Sequence, residues 1–416
     1  MDKFLIKGGR KLYGEVEVPA AKNAYLAILA ACMLSKDTIV LHNVPKFSDI
    51  IKMIEILKSL GAKVICEGED VIIDTKNANN YIVPQKLACE IRSSIFLLGA
   101  IVGKLKKAKV CYPGGCEIGT RPIDLHLKGL EAIGIKICEK HGFIECNGKN
   151  LSGGIVHLDY PSVGATENIM MAAVLANGIT TIYNPAKEPE IVDLQNFINS
   201  MGGKVSGAGS DIITITGVSS LHGTEYTAIP DRIIAGTYLI AGVCCGGDIT
   251  ISGINSAHIA SLTTKLCNNT CKIYCQSDKL RVVSDSLPKS FGSIETMPYP
   301  GFPTDLQAQT MVLQTVSKGT CVFTENLFEM RYKHVPELIK MGADIKVKGR
   351  VAVVNGVESL YGAEVTAGDL RGGAALTIAG LIAEGYTLVN DVRHIDRGYY
   401  HLESSLSKLG ADIKRL

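Results

Sequence analysis

The amino-acid sequence predicts an α/β protein of two similar domains, each built from three repeats of one helix-and-strand unit. Three observations support this prediction. The chain has 416 residues, which suits two or three domains. An amphipathic helix followed by a glycine and a short strand recurs six times, about 70 residues apart. A second, strongly apolar helix recurs between these copies, and a helix that is apolar all round must be buried among other helices.

Each copy of the amphipathic segment can be located by the residue that follows its predicted helix, and this residue serves as the marker of the repeat. The first copy reads IEILKSLGAKV at 54–64, and the last reads LESSLSKLGADI at 402–413. The fourth copy, LTTKLCNNTCKI, is degenerate and has threonine in place of the glycine. The six markers are Gly61, Gly134, Gly202, Thr270, Gly342 and Gly410, with steps of 73, 68, 68, 72 and 68 residues. This regularity predicts six equivalent units, each with about four strands, of which IVLHNV and ITISGI are examples.

The apolar helices share a polar or charged group at their start. The six groups are Lys22, Arg92, Ser162, Arg232, Asp305 and Arg371. Helix N-termini present free N–H groups and a field that favours anions. We therefore expect these N-termini to build an anion site in the gap between the two domains.

The domain boundary is predicted near 229–231. Residues 21–229 form the domain of repeats one to three, and residues 1–20 with 230–416 form the domain of repeats four to six. Residues 1–20 are expected to form a hairpin that completes the C-terminal domain. A similar hairpin, LHGTEYTAIP, is expected just before Asp231.

The composition excludes several function classes. Lys and Arg total 43 and Asp and Glu total 41, so no bulk positive field is available for nucleic acid or an anionic membrane. No run of 18 apolar residues predicts a membrane span, and the N-terminus lacks a signal-peptide pattern, so we expect a cytoplasmic protein. Thirteen cysteines fit reduced thiols rather than a disulfide framework. Neither the nine histidines nor Cys267, Cys271 and Cys275 have a metal-site spacing, so no metal site is expected.

The loop YPGGCEIGTRPIDLH, from Tyr112 to His126, is the most informative stretch for chemistry. Its glycines and proline predict an irregular, mobile segment around Cys116. A thiol in such a loop, with Arg121 five residues on, suits proton transfer or nucleophilic attack. The neighbouring Glu117 disfavours the thiolate, whereas Arg121 favours it.

This loop resembles that of the UDP-N-acetylglucosamine 1-carboxyvinyltransferases, which are enolpyruvyl transferases. The resemblance runs along the whole chain and includes AKNA at 21–24, PSVGATENIMMAA at 161–173, EPEIVDL at 188–194, PGFPTDLQAQ at 300–309, DLRGG at 369–373 and HIDRGY at 394–399. It implies two domains, each of three βαβαββ units with helices buried behind sheets (an inside-out α/β barrel). It places the Cys116 loop as a lid on the 21–229 domain, and the active site in the cleft between the domains.

The resemblance also implies the reaction and its residues. Enolpyruvyl passes from phosphoenolpyruvate to the 3′-hydroxyl of UDP-N-acetylglucosamine by addition and then elimination, and phosphate leaves. Asp305 is the expected base, Cys116 the expected acid or covalent adduct site, and Lys22 the third catalytic residue. The residues expected to bind phosphoenolpyruvate are Lys22, Asn23, Arg121, Arg397, Arg331 and Arg371. Those expected to bind UDP-N-acetylglucosamine are Arg92, Arg121, Pro122, Ile123, Asp124, Leu125, Ser162, Val163, Gly164, Asp305 and Leu327.

The resemblance implies no metal or organic cofactor, and it makes Cys116 the expected target of an epoxide such as fosfomycin. Two alternatives stay open. The sister enzyme that acts on shikimate 3-phosphate would have a GSKS-type stretch where this chain has AAKN, and it would lack the cysteine loop. A non-catalytic sugar-nucleotide-binding paralogue would have lost Cys116, Asp305 or Lys22, and this chain has all three.

Overall fold

The computed structural model describes residues 2–114, 122–267, 271–276, 278–286 and 289–416. Within these ranges it contains 23 β-strands and 13 α-helices, so the predicted α/β class is confirmed. The repeat marker Thr270 lies outside the described residues.

The strands are β1 Phe4–Lys7, β2 Leu12–Glu17, β3 Thr38–His42, β4 Lys63–Glu67, β5 Asp70–Asp74, β6 Lys107–Cys111, β7 Lys136–Lys140, β8 Phe143–Asn147, β9 Ile155–His157, β10 Ile179–Tyr183, β11 Val205–Ser206, β12 Ile212–Thr216, β13 Glu225–Thr227, β14 Gly247–Ser252, β15 Lys272–Cys275, β16 Lys279–Ser284, β17 Ser293–Glu295, β18 Thr320–Thr324, β19 Asp344–Lys348, β20 Val351–Asn355, β21 Glu364–Thr366, β22 Tyr386–Asn390 and β23 Asp412–Arg415.

The α-helices are α1 Lys22–Cys32, α2 Ser48–Ser59, α3 Gln85–Ala88, α4 Leu97–Leu105, α5 Asp124–Ala132, α6 Val163–Ala173, α7 Pro189–Ser200, α8 Arg232–Cys245, α9 Ala260–Cys267, α10 Gln307–Thr315, α11 Val335–Lys340, α12 Leu370–Ile382 and α13 Leu402–Lys408. Short 3₁₀ helices span Arg92–Phe96, Ser256–Ile259, Thr304–Leu306 and Val392–His394.

The described residues divide into two compact units. One consists of 2–19 and 230–416, and the other of 20–114 and 122–229. Each unit holds three sheets. The sheets of the 20–229 unit have the orders β13-β3-β5-β4, β11-β12-β10-β9 and β6-β8-β7, and those of the other unit β15-β16-β14-β2, β17-β18-β20-β19 and β21-β22-β1-β23.

Five of the six sheets share one plan. A parallel pair at one edge (β13 with β3, for example) is followed by two antiparallel pairings. The sixth sheet has three strands, and a parallel bridge between Ile82 and Lys109 stands where the edge strand would pair. The repeat seen in the sequence is therefore a repeat of sheet topology.

The expected hairpin in residues 1–20 is wrong. Strand β1 lies antiparallel between β22 and β23, whereas β2 pairs in parallel with β14 of a different sheet. The hairpin expected in LHGTEYTAIP is wrong in the same way, because β13 pairs in parallel with β3. Strands form in both stretches, but each pairs with a strand that is remote in sequence rather than within a hairpin.

The apolar helices are buried as their composition predicts. Ten of the eleven residues of α1 are buried, and all residues but Leu370 and Ile382 are buried in α12. Helix α4 packs on α6 at Gly99, where a β-carbon would collide with the carbonyl oxygen of Asn168. None of the helices in the described ranges combines the length and apolarity needed to cross a bilayer.

Candidate active site

The candidate ligand residues stand at the starts of buried helices. Lys22 and Arg232 are the first residues of α1 and α8, and Ser162 is the N-cap of α6. Arg371 follows the first residue of α12. Arg92 and Asp305 lie in the 3₁₀ turns that lead into α4 and α10. Three of these positions lie in each unit.

Asp305 is held between two buried arginines. Its Oδ1 accepts a hydrogen bond from Nη2 of Arg331, and its Oδ2 lies 3.4 Å from Nη2 of Arg371. Both arginines are 4% exposed, whereas the Asp305 side chain is 29% exposed. Thr304 adds a carbonyl acceptor for Arg331 at 3.3 Å. A carboxylate and two guanidinium groups thus meet at one partly open point, with a net positive charge suited to an anion.

Arg371 is fixed from behind by a buried polar network. Its Nη1 donates to the hydroxyl of Tyr399 at 3.2 Å, and its guanidinium lies 5.5 Å from the Tyr399 ring centre. That hydroxyl also lies 2.8 Å from Oγ1 of Thr237, and Gln309 donates to both oxygens. Burial alone would lower the pKa of Arg371, but Asp305 and Tyr399 raise it above its ordinary value. Arg371 is therefore a fixed positive charge.

Leu327 is linked to the Asp305 turn through Glu325. The fully buried Glu325 carboxylate accepts from the Leu327 N–H at 2.9 Å and from the Thr304 hydroxyl at 3.0 Å. It also accepts from the Thr296 hydroxyl at 2.8 Å. Hydrogen bonds to the Glu325 carboxylate thus connect the loop after β18 to the turn that carries Asp305.

His334 is a buried histidine beside this cluster. It is 3% exposed, and neither ring nitrogen has a hydrogen-bond partner among the described atoms. Burial lowers the pKa of His334 to about 4. The positive charge of Arg331 also lowers this pKa, whereas the Asp369 carboxylate raises it. His334 is therefore neutral at physiological pH.

In the other unit, Lys22 is paired with Asp49. Their Nζ and Oδ2 atoms are 3.3 Å apart, and the two residues are 8% and 6% exposed. Asp49 lies in the first turn of α2, so helix α2 positions the ammonium group that α1 carries. The neighbouring Asn23 is half-buried.

The two segments expected to bind the sugar nucleotide are brought together in the same unit. Ser162, as the α6 N-cap, accepts from the Ala165 N–H at 3.4 Å. A β-carbon on Gly164 would lie 2.8 Å from Cε1 of His126 in α5, whose first residues are Asp124 and Leu125. His126 in turn lies 2.8 Å from Nδ2 of the fully buried Asn168. The starts of α5 and α6 therefore form one surface, with Pro122 exposed and Ile123 buried at its edge.

Cys116 and Arg121 lie outside the described residues. Arg397 is half-buried in the turn after the Val392–His394 helix. Burial lowers the pKa of the nearby His394, and the charges of Arg393 and Arg397 act in the same direction.

A family model described as EPSP synthase (3-phosphoshikimate 1-carboxyvinyltransferase) matches residues 6–406. A protein of Caldanaerobacter subterraneus subsp. tengcongensis named UDP-N-acetylglucosamine 1-carboxyvinyltransferase 2 is 52% identical over 416 residues, with all of both chains covered. UDP-N-acetylglucosamine 1-carboxyvinyltransferase 1 of Carboxydothermus hydrogenoformans is 49% identical, covering 100% of this chain and 99% of the other. The chain belongs to the enolpyruvyl transferase family.

Solved structures of other enolpyruvyl transferases share the fold. NikO from Streptomyces tendae matches with a TM-score of 0.89 at 24% identity, covering 100% of this chain and 98% of the other. EPSP synthase from Acinetobacter baumannii matches with a TM-score of 0.76 at 16% identity, covering all of both chains.

Several side chains at the candidate site of this enolpyruvyl transferase are not predicted from the sequence. They are buried polar residues beside the expected ones: Asp49, His126, Asn168, Thr237, Gln309, Glu325, His334 and Tyr399. Only the segment PTDLQAQTMVLQ carries a signal in the sequence, because three glutamines interrupt a helix that must be buried. The other residues are joined to the site by contacts between distant segments, which no local pattern marks.

Proposed function

We propose that this protein transfers the enolpyruvyl group of phosphoenolpyruvate to the 3′-hydroxyl of UDP-N-acetylglucosamine and releases phosphate. The observation that carries the proposal is the full-length identity of 46–52% to proteins named UDP-N-acetylglucosamine 1-carboxyvinyltransferase. The cluster of Asp305, Arg331 and Arg371 supports it, because the reaction needs a base beside groups that bind anions.

The proposed chemistry is an addition followed by an elimination. Asp305 takes the proton of the acceptor hydroxyl as its oxygen attacks C2 of phosphoenolpyruvate, while Cys116 supplies a proton to C3. The tetrahedral intermediate then loses phosphate and a C3 proton. The phosphate and carboxylate of phosphoenolpyruvate are held by Lys22, Asn23, Arg121, Arg331, Arg371 and Arg397. The sugar nucleotide is held by Arg92, the 121–125 segment, Ser162, Val163, Gly164 and Leu327.

We infer that the substrate anion displaces Asp305 from its arginines. Arg331 and Arg371 both contact the Asp305 carboxylate and hold it between them. An incoming carboxylate or phosphate competes for the same guanidinium groups. Its binding would leave Asp305 with fewer cationic partners, and the released carboxylate could then accept the proton of the acceptor hydroxyl.

The experiment compares two acceptors with the purified protein. Phosphate release from phosphoenolpyruvate is measured with UDP-N-acetylglucosamine and, separately, with shikimate 3-phosphate. The latter acceptor is the relevant competitor because the matching family model is described by that activity. We expect release only with the sugar nucleotide, and mass spectrometry should find its enolpyruvyl ether. Release with shikimate 3-phosphate alone would reverse the assignment, and binding of the sugar nucleotide without turnover would favour a non-catalytic paralogue.

The wider setting follows from this chemistry. We propose that the reaction opens peptidoglycan synthesis in the cytoplasm and so supports cell shape and division, and that epoxides such as fosfomycin inhibit it at Cys116.

We also propose that each unit is an inside-out α/β barrel of three βαβαββ repeats. The shared strand order of the sheets and the buried apolar helices of each unit support this description.

A further inference from the structure

Two cysteine sulfurs approach each other in the 20–229 unit. Sγ of Cys89 lies 3.5 Å from Sγ of Cys111. Cys89 is the exposed C-cap residue of α3, and Cys111 is the last residue of β6 and only 2% exposed. A disulfide has its sulfurs about 2.05 Å apart, so a movement of roughly 1.5 Å would allow the bond to form.

The pair joins two stretches that lead to expected ligand residues. Cys89 precedes Arg92 by three residues, and Cys111 leads through Tyr112 and Gly114 towards Cys116. The backbone at Gly114 lies directly against Cys89, because a β-carbon on Gly114 would collide with the Cys89 carbonyl oxygen. Any change in the Cys89–Cys111 contact therefore acts on the chain that enters the cysteine loop.

We propose that Cys89 and Cys111 are a redox modification site, at which mild oxidation forms a reversible disulfide that fixes residues 111–114 against Cys89 and slows turnover. The turnover clause rests on the proposed function, whereas the disulfide itself does not. Disulfides that form in reducing compartments are usually transient and regulatory.

The oxidant is a peroxide, and the two sulfurs have different roles. The thiolate of exposed Cys89 attacks one peroxide oxygen, so an S–O bond forms, the O–O bond breaks, and hydroxide leaves and becomes water. The Cys111 thiol then attacks the Cys89 sulfenic sulfur, and a second water leaves. Two thiols and one hydrogen peroxide thus give one disulfide and two waters. Burial raises the pKa of Cys111 to about 12, which makes Cys89 the sulfur that reacts first.

The test compares the unaltered protein with Cys89→Ser, which changes an exposed side chain. Both are treated with one equivalent of hydrogen peroxide, alkylated and mapped by mass spectrometry. We expect a Cys89–Cys111 linked peptide and an at least five-fold loss of phosphate release, both reversed by dithiothreitol. Cys89→Ser should show neither change beyond any peroxide effect at Cys116, which both proteins share. Cys66→Ser, which alters another exposed cysteine of the same unit, should behave like the unaltered protein.

Two results would overturn the proposal. One is the absence of the linked peptide, and the other is a linked peptide with an unchanged rate. If the untreated protein does not turn over UDP-N-acetylglucosamine, the proposed function fails instead. The disulfide is then judged by the linked peptide together with slower amide hydrogen exchange at Tyr112 and Gly114 after oxidation, and unaltered exchange there would contradict it.

Discussion

At Asp305, one side chain combines an ion-pair role with a proposed catalytic role. Asp305→Ala would leave Arg331 and Arg371 without a carboxylate between them, and unpaired buried charges destabilise a fold. Asp305→Asn keeps the shape and one hydrogen-bond acceptor, and it removes the base. We expect Asp305→Asn to lower kcat by roughly 10²–10⁴ with little change in the affinity for UDP-N-acetylglucosamine.

Steady-state kinetics and calorimetry measure these two quantities. Glu329→Gln is a suitable control, because Glu329 forms a partly exposed pair with Arg350 at 2.5 Å. A near-normal kcat with lost sugar-nucleotide binding in Asp305→Asn would contradict the assignment of the base.

His334 should make stability depend on pH. Its folded-state pKa of about 4 lies below the ordinary value of 6.5, so between these pH values the unfolded chain binds the additional proton. Stability is therefore retained above pH 6.5 and falls as the pH drops towards 4, by up to about 1.4 kcal/mol per pH unit. We expect His334→Gln to remove this part of the slope.

Urea unfolding at several pH values between 4 and 7 measures the effect. His157→Gln, at an exposed histidine of β9, is the control and should leave the slope unchanged. An equal slope in His334→Gln and the unaltered protein would contradict the assignment of this pH dependence to His334.

At the scale of elements, the α4–α6 contact depends on the absence of a side chain at Gly99. A methyl group there would collide with the Asn168 backbone, whereas one on Gly103 would lie 3.1 Å from the Met171 carbonyl oxygen. Both positions are in α4 and gain similar helix propensity from alanine. We expect Gly99→Ala to lower the free energy of urea unfolding by about 1–3 kcal/mol, and more than Gly103→Ala. Equal effects would mean that the helices separate at little cost.

Elements were predictable from sequence where a local pattern specifies them. The markers Gly61, Gly134 and Gly202 have φ of 99°, 85° and 90°, the left-handed conformation that ends a helix and favours glycine. The apolar helices follow from composition alone. The hairpin expected in residues 1–20 failed because the partners of β1 and β2 lie more than 200 residues further along the chain.

The same distinction applies to the candidate site. Lys22, Ser162 and Arg371 could be chosen from sequence because they begin recognisable helices. Their fixing partners could not, since Asp49 reaches Lys22 across 27 residues and Tyr399 reaches Arg371 across 28. Polar contacts of this range depend on how helices pack, and the hydrophobic pattern carries no information about them.

At the scale of the whole molecule, each of the two described units has three sheets, and one unit depends on the first strands of the chain whereas the other does not. Strands β1 and β2 complete two sheets of the unit that contains residues 230–416. We expect a chain that begins at Ala20 to lose amide protection in β14 and β22 by hydrogen exchange. Protection in β10 of the other unit should persist. Normal protection in β22 would contradict the prediction, and an added peptide of residues 2–19 should restore what is lost.

The central position of β1 in its sheet has a consequence for synthesis on the ribosome. β1 is made before both of its partners, β22 and β23, which come more than 370 residues later. At a translation rate of ~5–20 residues per second, roughly 20–80 s pass between the synthesis of β1 and that of its two partners. During that interval the 20–229 segment can already form its own sheets, whereas an apolar strand with unpaired edges stays open to other chains. Nascent copies of this protein should therefore need a chaperone at the N-terminus longer than at the segment that follows it.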